Sequence, residues 1–238
     1  MNPPKTRLRV EMDRAGSFLS ARKPREPPIL GRTLSERQFL ETAAKQRAAE
    51  VVRAVEAQTS VEVVVTVRRA AGRYVATSLG GGLVCAVVCF AVMWLSPQVY
   101  DVRTMPLDAA LAFVLGFVLV ASVTSLRRVL TPASFRVARA ERAARVAFAE
   151  LGIEKTRARS GMLVYVALFE RTVVLVPDRG VPEALVAAFE PVRAALAESV
   201  RRTDFEAFLA ALARLGPTCQ PLLPRQSDDE NELCDNVV

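Results

Sequence analysis

Two uncharged stretches interrupt a chain that is otherwise rich in charge. One lies between Arg73 and Asp101 and the other between Asp108 and Arg127. As a helix at about 1.5 Å per residue, the second would span roughly 27 Å, which matches the hydrocarbon core of a bilayer. Buried core helices are the alternative, but two such runs joined by a short polar connection favour a transmembrane hairpin.

We therefore predict a two-helix hairpin over residues 74–126, with spans at about 75–97 and 107–126. Small residues recur in both spans and would let the two helices approach closely, or would be mere filler in an apolar helix. These residues are Gly80, Gly81, Gly82 and Gly116.

Arginines flank the hairpin on both sides, whereas the connecting loop holds Arg103 against Asp101 and Asp108. By the positive-inside rule, this bias places both flanks in the cytoplasm and only the short loop outside. The flanking arginines are Arg68, Arg69, Arg73, Arg127, Arg128, Arg136, Arg139, Arg142 and Arg145.

Residues 33–70 show helical and then extended periodicity. Thr33 and Glu36 form a capping-box pattern, and apolar residues at helical spacing follow it. The segment "VEVVVTV" comes next, and its β-branched composition predicts a short buried strand.

Residues 127–216 continue with a basic helix, two strands and further helices. The strands "GMLVYVALF" and "TVVLVP" are joined tightly at Glu170 and Arg171, which we predict to form a turn with an exposed charge pair. Pro191 breaks or restarts a helix, and Pro182 suits a first turn. Thr203 is the predicted cap of the last helix and Gly216 its stop signal.

Residues 33–68 cannot bury their apolar faces alone, so the halves before and after the hairpin must come together at the membrane surface. The fold class is therefore α/β, and "VEVVVTV" is the expected sheet partner of the two later strands.

The two ends of the chain differ in charge, within a net charge of +7. Residues 1–32 are basic and proline-rich and lack sustained periodicity, so we predict a disordered arm. Phe18 is the sole aromatic residue there, so we expect no nucleic-acid binding; such an arm more simply contacts anionic lipid, or nothing. Residues 217–238 form an acidic tail.

The chain holds four cysteines and no histidine. The missing histidine excludes Ser-His-Asp and Cys-His catalysis, histidine-type zinc sites and histidine phosphotransfer. Cys85 and Cys89 lie in the first apolar run, and Cys219 and Cys234 have no metal-ligand spacing. Reduced thiols fit a cytosol-facing protein.

Three segments resemble the TPM domain family, over roughly residues 33–236 with the hairpin as an insertion. The first is "VEAQTSVEVVVTV", the second "ELGIEKTRARSGMLVYVALFERTVVLVPDRGVP", and the third the tail "LLPRQSDDENELCDNV". The third is similar to the tail of a bacterial membrane-bound branch. The matching residues are Glu56, Thr59, Ser60, Glu62, Thr156, Arg157, Gly161, Glu170, Arg171, Asp178, Gly180, Asp228, Asp229, Asn231, Glu232 and Leu233.

The resemblance implies a three-layer α/β/α sandwich around a short mixed sheet, in a multi-pass protein of the bacterial inner membrane with both termini cytoplasmic. The family includes proteins linked to photosystem repair and membrane-complex assembly, and acid phosphatase activity and divalent-cation binding have been proposed for some members. This chain departs from the bacterial branch because it lacks the histidines that such members often carry.

Two functions follow as expectations. The first is a non-catalytic assembly, repair or quality-control factor that acts on membrane protein partners and whose other partner is the lipid bilayer. The second is a divalent-metal-dependent phosphatase. The sequence contains no Cys-x5-Arg loop, aspartyl-phosphate motif or P-loop, so a phosphatase would depend on a metal-activated water. No catalytic residue is assigned.

The candidate ligands for Ca²⁺ or Mg²⁺ are carboxylates, because hard cations prefer oxygen. Each also has a structural interpretation: Glu62 as an edge or capping residue, Asp178 as a turn former, and the tail acids as a solvated run. A joint site would require the tail to fold back on the loop after "TVVLV". The candidates are Glu62, Asp178, Asp228, Asp229 and Glu232.

Overall fold

The structure, a computed structural model, describes residues 38–98, 100–156 and 159–225. It contains helices, three strands and a 3-10 turn at Ile153–Lys155. In chain order the elements are α1 (Thr42–Glu56), β1 (Glu62–Arg68), α2 (Val75–Leu95), α3 (Met105–Ser122), α4 (Thr124–Leu130), α5 (Ala133–Glu150), β2 (Gly161–Ala167), β3 (Thr172–Pro177), α6 (Glu183–Ala188), α7 (Glu190–Arg202), α8 (Phe205–Ala213) and α9 (Leu215–Cys219).

The three strands form one short mixed sheet in the order β1-β2-β3. β1 is parallel to β2, with Glu62 opposite Gly161 and Arg68 opposite Ala167. β3 is antiparallel to β2. The predicted mixed α/β fold is confirmed at this level, and the strand before the apolar hairpin pairs with a strand after it.

One face of the sheet packs against α1 and the C-terminal helices. Successive side chains of a strand point to opposite faces, so Val63 and Val65 of β1 join Met162 and Val164 of β2 in this core. Helices α1, α7 and α8 contribute buried apolar residues to it at helical spacing. They include Ala44, Ala48, Val52, Val55, Val192, Leu196, Val200, Phe208 and Leu212.

The opposite face packs against α5. Ala140, Ala144 and Ala147 recur on one side of this helix and are buried against Leu163 and Tyr165. Small alanines let a helix that is basic on its other sides lie close to the sheet.

Helices α2 and α3 form a hairpin and are both long and apolar enough to cross a membrane. Of each apolar window, 11% is buried inside the described structure, so these helices do not behave as core helices of the fold. A Cβ at Gly82 would lie 2.8 Å from the Phe113 carbonyl oxygen, and one at Gly116 would lie 2.5 Å from Cys85 Sγ. At Gly80 a Cβ would meet nothing within 4 Å, so Gly80 does not contribute to the predicted close approach of the two helices.

Several element boundaries differ from prediction. The second apolar helix ends at Ser122 and a separate short helix, α4, starts at Thr124. Val123 between them has extended backbone angles. β2 ends at Ala167, because Leu168 and Phe169 turn toward the hairpin.

The predicted boundaries of the last helix are wrong. Asp204, not Thr203, is the N-cap of α8, because its carboxylate accepts a hydrogen bond from the Ala207 N–H at 3.0 Å. Gly216 lies inside α9 rather than ending a helix. Pro191 lies in the first turn of α7, so it restarts the helix as predicted. The capping box at Thr33 and Glu36 and the arm over residues 1–32 lie outside the described residues.

Candidate functional site

The sheet has two chemically different ends. The starts of β1 and β2 and the end of β3 meet at one end, which we call the far end. The other strand ends meet beside the start of α2, and we call this the hairpin end. There the pairing of β1 and β2 continues into the turn, because the Leu168 and Phe169 N–H groups donate to the carbonyls of Arg68 and Arg69 at 3.0 and 2.8 Å.

Two predicted acids, Glu62 and Asp178, lie at the far end. Glu62 pairs with Gly161, whose carbonyl accepts a hydrogen bond from the Asp178 N–H at 2.8 Å. The two acids thus flank Gly161 in one row on one face of the sheet. Adjacent strands lie roughly 4.8 Å apart, so their backbones are about 10 Å apart.

Ile153 occupies the space above Gly161 between the two acids. A Cβ on Gly161 would lie 2.5 Å from Ile153 Cγ2, so close packing requires glycine here. The motif glycine of the TPM resemblance therefore has a packing role in this fold.

Asp178 is buried, at 6% exposure, and is part of a turn. Its Oδ1 accepts a hydrogen bond from the Arg179 N–H at 2.7 Å, and its carbonyl accepts one from the Val181 N–H at 3.1 Å. Its Oδ2 is buried and accepts no hydrogen bond from any described residue. Asp178 therefore forms a turn as predicted, and its Oδ2 has no hydrogen-bond partner among the described residues.

The beginning of the predicted tail binds the junction between α1 and β1. Thr59 Oγ1 donates to the Leu223 carbonyl and Ser60 Oγ to the Pro224 carbonyl, both at 2.6 Å. Arg225 Nη1 donates to the Glu56 carbonyl at 2.8 Å. Thr59 and Ser60 belong to the first motif of the resemblance, and here they fasten residues 223–224 to the outer side of β1.

Two of the five candidate metal ligands lie among the described residues. No group of three histidine, cysteine, aspartate or glutamate side chains that could hold a metal occurs within residues 38–98, 100–156 and 159–225. Glu62 and Asp178 provide two carboxylates, whereas Ca²⁺ takes six to eight oxygen ligands. The other candidates, Asp228, Asp229 and Glu232, lie outside the described residues.

A second polar centre, at the hairpin end, was missed by the sequence analysis. The prediction of an exposed Glu170–Arg171 pair is wrong for Glu170, which is 4% exposed. Its Oε1 accepts hydrogen bonds from the Tyr74 hydroxyl at 2.5 Å and from the Ala71 N–H at 2.9 Å. The turn packs against the residues that lead into α2, so the Glu170 carboxyl contacts Ala71 and Tyr74 instead of solvent.

Burial raises the pKa of Glu170 above its ordinary value, although the Tyr74 hydroxyl and the Ala71 N–H oppose the shift. Burial and the hydrogen bond to Glu170 also raise the pKa of Tyr74. Burial therefore favours the protonated form of both groups, which share one hydrogen bond.

Four arginines lie near Tyr74 or the β2–β3 turn, and we call them the arginine collar: Arg127, Arg128, Arg136 and Arg139. Arg127 and Arg128 lie over the Phe169 ring, with Cζ at 5.9 and 5.6 Å from its centroid. The guanidinium of Arg139 lies 5.6 Å from the Tyr74 centroid.

The collar also acts on the turn and on the Glu170 carboxyl. Arg128 Nε donates to the Phe169 carbonyl at 2.8 Å. Arg136 is near enough to Glu170 to act against the rise in its pKa. The arginine bias was visible in the sequence, but it indicated orientation only, because the partners are distant in the chain.

Comparisons with known proteins assign no family. No family model matches the chain, and no curated protein matches it. One similar solved structure is the NMR structure of BA42 protein from the psychrophilic bacterium Bizionia argentinensis sp. nov.. Its sequence identity is 15% and its TM-score 0.49, and the match covers 84% of this chain and 94% of that one.

Proposed function

We propose that this protein is a membrane-anchored TPM-like domain that acts as a non-catalytic assembly, repair or quality-control factor for membrane proteins. It resides in the bacterial inner membrane as a multi-pass protein with both termini in the cytoplasm. Its partners are the lipid bilayer and one or more membrane proteins.

The observation that carries the proposal is the way in which the sheet is built around the hairpin. β1 precedes the apolar helices and β2 follows them, yet the two strands are paired along their whole length. The Tyr74–Glu170 hydrogen bond then ties the β2–β3 turn to the start of α2. A domain tied in this way stays at the membrane surface, where neighbouring membrane proteins are its natural contacts. Helices on both faces of the sheet support the TPM-like α/β/α arrangement.

A divalent-metal-dependent phosphatase is the second candidate, and Asp178 favours it. Its buried Oδ2 has no hydrogen-bond partner among the described residues, and Glu62 lies on the same face of the sheet. Ca²⁺ or Mg²⁺ held there would require additional ligands, for which the tail acids are the available carboxylates.

A complementation experiment distinguishes the two functions. In cells that lack the protein, pulse-chase labelling measures the lifetimes of membrane proteins, and the purified full chain is assayed on a generic phosphate ester with and without Ca²⁺ or Mg²⁺. We expect altered lifetimes that Asp178→Asn restores as well as the wild type does, and no metal-dependent phosphate release. Release that Asp178→Asn abolishes would instead establish the phosphatase, and unaltered lifetimes would contradict the proposed role.

A further inference from the structure

The arginine collar carries positive charge that the described protein does not neutralise. Arg127, Arg136 and Arg139 form no ion pair with a carboxylate among the described residues. The acid at the centre of the collar, Glu170, has a raised pKa. Arg127, Arg136 and Arg139 therefore carry positive charge that no carboxylate among the described residues pairs with.

Several collar donors are buried without a hydrogen-bond acceptor. Nε of Arg127 and Nε of Arg136 are inaccessible and unpaired within the described part of the chain, as is Nε of the adjoining Arg171. A buried polar group without a partner is destabilising. Arginines with unsatisfied donors favour an anion that accepts several hydrogen bonds.

The collar lies at the ends of both apolar helices. The Arg127 guanidinium donates to the carbonyl of Ala121, in the last turn of α3. Tyr74, beneath Arg139, is the N-cap of α2. When the hairpin spans a bilayer, this level is the headgroup region, where tyrosines are typically found.

An apolar rim adjoins the collar. Val129, Leu130 and Phe135 are 82%, 49% and 49% exposed. They lie on α4 and the first turn of α5, between Arg128 and Arg136 in the chain. Apolar side chains next to basic ones are typical of segments at a membrane interface.

We propose that the arginine collar binds the phosphate group of an anionic lipid headgroup on the cytoplasmic side of the membrane. The planar guanidinium matches phosphate oxygens with paired hydrogen bonds. The membrane supplies this phosphate at the depth of the collar, so the ligand is lipid rather than free phosphate. This inference rests on the membrane attachment in the proposed function and adds the lipid class.

The test uses the full chain in two preparations. One is reconstituted in nanodiscs, which shows whether the chain enters a bilayer. The other is kept in neutral detergent and titrated with phosphatidylglycerol or phosphatidylcholine, and native mass spectrometry counts the bound lipid. The wild type should bind phosphatidylglycerol at least about fivefold more tightly than phosphatidylcholine. Arg127→Gln combined with Arg136→Gln should weaken that binding by about fivefold for each arginine removed, because an arginine near an anionic surface contributes about 1 kcal/mol.

Arg145→Gln is the matched control. Combined with Arg142→Gln, it removes the same number of charges as the double variant, from α5 and at least six residues beyond Arg136, about 9 Å further along at 1.5 Å per residue, and both arginines lie outside the collar. Its binding should equal that of the wild type. An equal loss of affinity in the control would show that overall charge, and not the collar, determines lipid binding, and would contradict the proposed site. If the double variant does not fold, Arg136→Lys keeps the charge, loses the planar fork and should still bind more weakly.

Three further outcomes decide the inference. Equal wild-type affinity for the two lipids overturns it. Inorganic phosphate that binds at least as tightly as phosphatidylglycerol overturns the lipid as the source. A chain that enters nanodiscs but does not select phosphatidylglycerol contradicts the collar alone, whereas a chain that does not enter them contradicts the proposed membrane attachment as well.

Discussion

At the residue scale, Glu170 is a carboxyl that the fold buries between the sheet and the apolar helices. One of its oxygens accepts two hydrogen bonds, and the other accepts none from the described residues. The sequence predicts the turn but not the burial, because an acid in a Glu-Arg turn usually faces water. Tyr74, which covers it, is 96 residues away.

Glu170 should make stability depend on pH. Its pKa is raised by burial from an ordinary value of 4.5, so the folded state binds the proton more tightly than the unfolded state. The stability that this proton provides is fully present below that ordinary value and is lost as pH rises through the folded pKa.

In Glu170→Gln the amide oxygen can still accept hydrogen bonds but carries no titrating charge. Thermal unfolding in detergent should show that its stability relative to the wild type increases as pH rises from 4.5 to neutral. Glu183→Gln, at an exposed site, is the control and should follow the wild type. Parallel curves for Glu170→Gln and wild type would contradict the shift.

Asp178 allows a test of the predicted metal site. If the tail acids join Glu62 and Asp178, calorimetric titration of the full chain with Ca²⁺ should give binding that Asp178→Asn weakens. Asp101→Asn, in the connecting loop, is the control and should have no effect. An absence of heat at millimolar Ca²⁺, or unchanged affinity in the Asp178 variant, would leave Asp178 as a turn residue.

At the element scale, periodicity predicts much of the fold. The apolar runs became α2 and α3, the alternating and β-branched segments became the three strands, and the register places Val63 and Val65 in the core as expected. The predictions failed where short-range chemistry decides. Asp204, and not the adjacent Thr203, is the cap because its carboxylate accepts a hydrogen bond from the Ala207 N–H. Periodicity does not distinguish these two adjacent residues.

The hairpin contact should be sensitive to volume at one glycine and insensitive at its near neighbour. Gly82→Ala places a methyl group 2.8 Å from the Phe113 carbonyl oxygen, so the helices must move apart. We expect a loss of about 1–3 kcal/mol in detergent unfolding, the usual cost of overpacking. Gly80→Ala meets nothing within 4 Å and should be neutral. Equal effects in both variants would contradict the described packing of α2 on α3.

The two halves of the domain should unfold together. Val65 is 1% exposed, and Val65→Asp places an unpaired charge in the core, with an expected loss of more than about 3 kcal/mol. Limited proteolysis should then cleave the chain beyond residue 127. Val146→Asp, at 56% exposure on α5, is the matched control and should resist protease. A protease-resistant 127–238 segment in Val65→Asp would show that the halves fold separately.

At the scale of the whole molecule, the sequence predicts that a domain is split by a hairpin, because residues 33–68 cannot bury their apolar faces alone. It does not locate the collar, whose arginines on α4 and α5 lie over aromatic rings of the β2–β3 turn and of the residue before α2. Such a site forms only when β1 and β2 pair, since that pairing brings the turn to the first apolar helix. The far end is similar: Glu62 and Asp178 are neighbours only through Gly161.

The central claim is that the hairpin crosses the membrane and holds one domain, built from both flanks, on the cytoplasmic side. Topology reporters fused after residues 30, 97 and 225 of the full chain test it most directly, because each reports the side of its own fusion point. The arginine bias predicts a cytoplasmic signal at 30 and 225 and an external signal at 97. An external signal at 225, or a cytoplasmic signal at 97, would contradict the account.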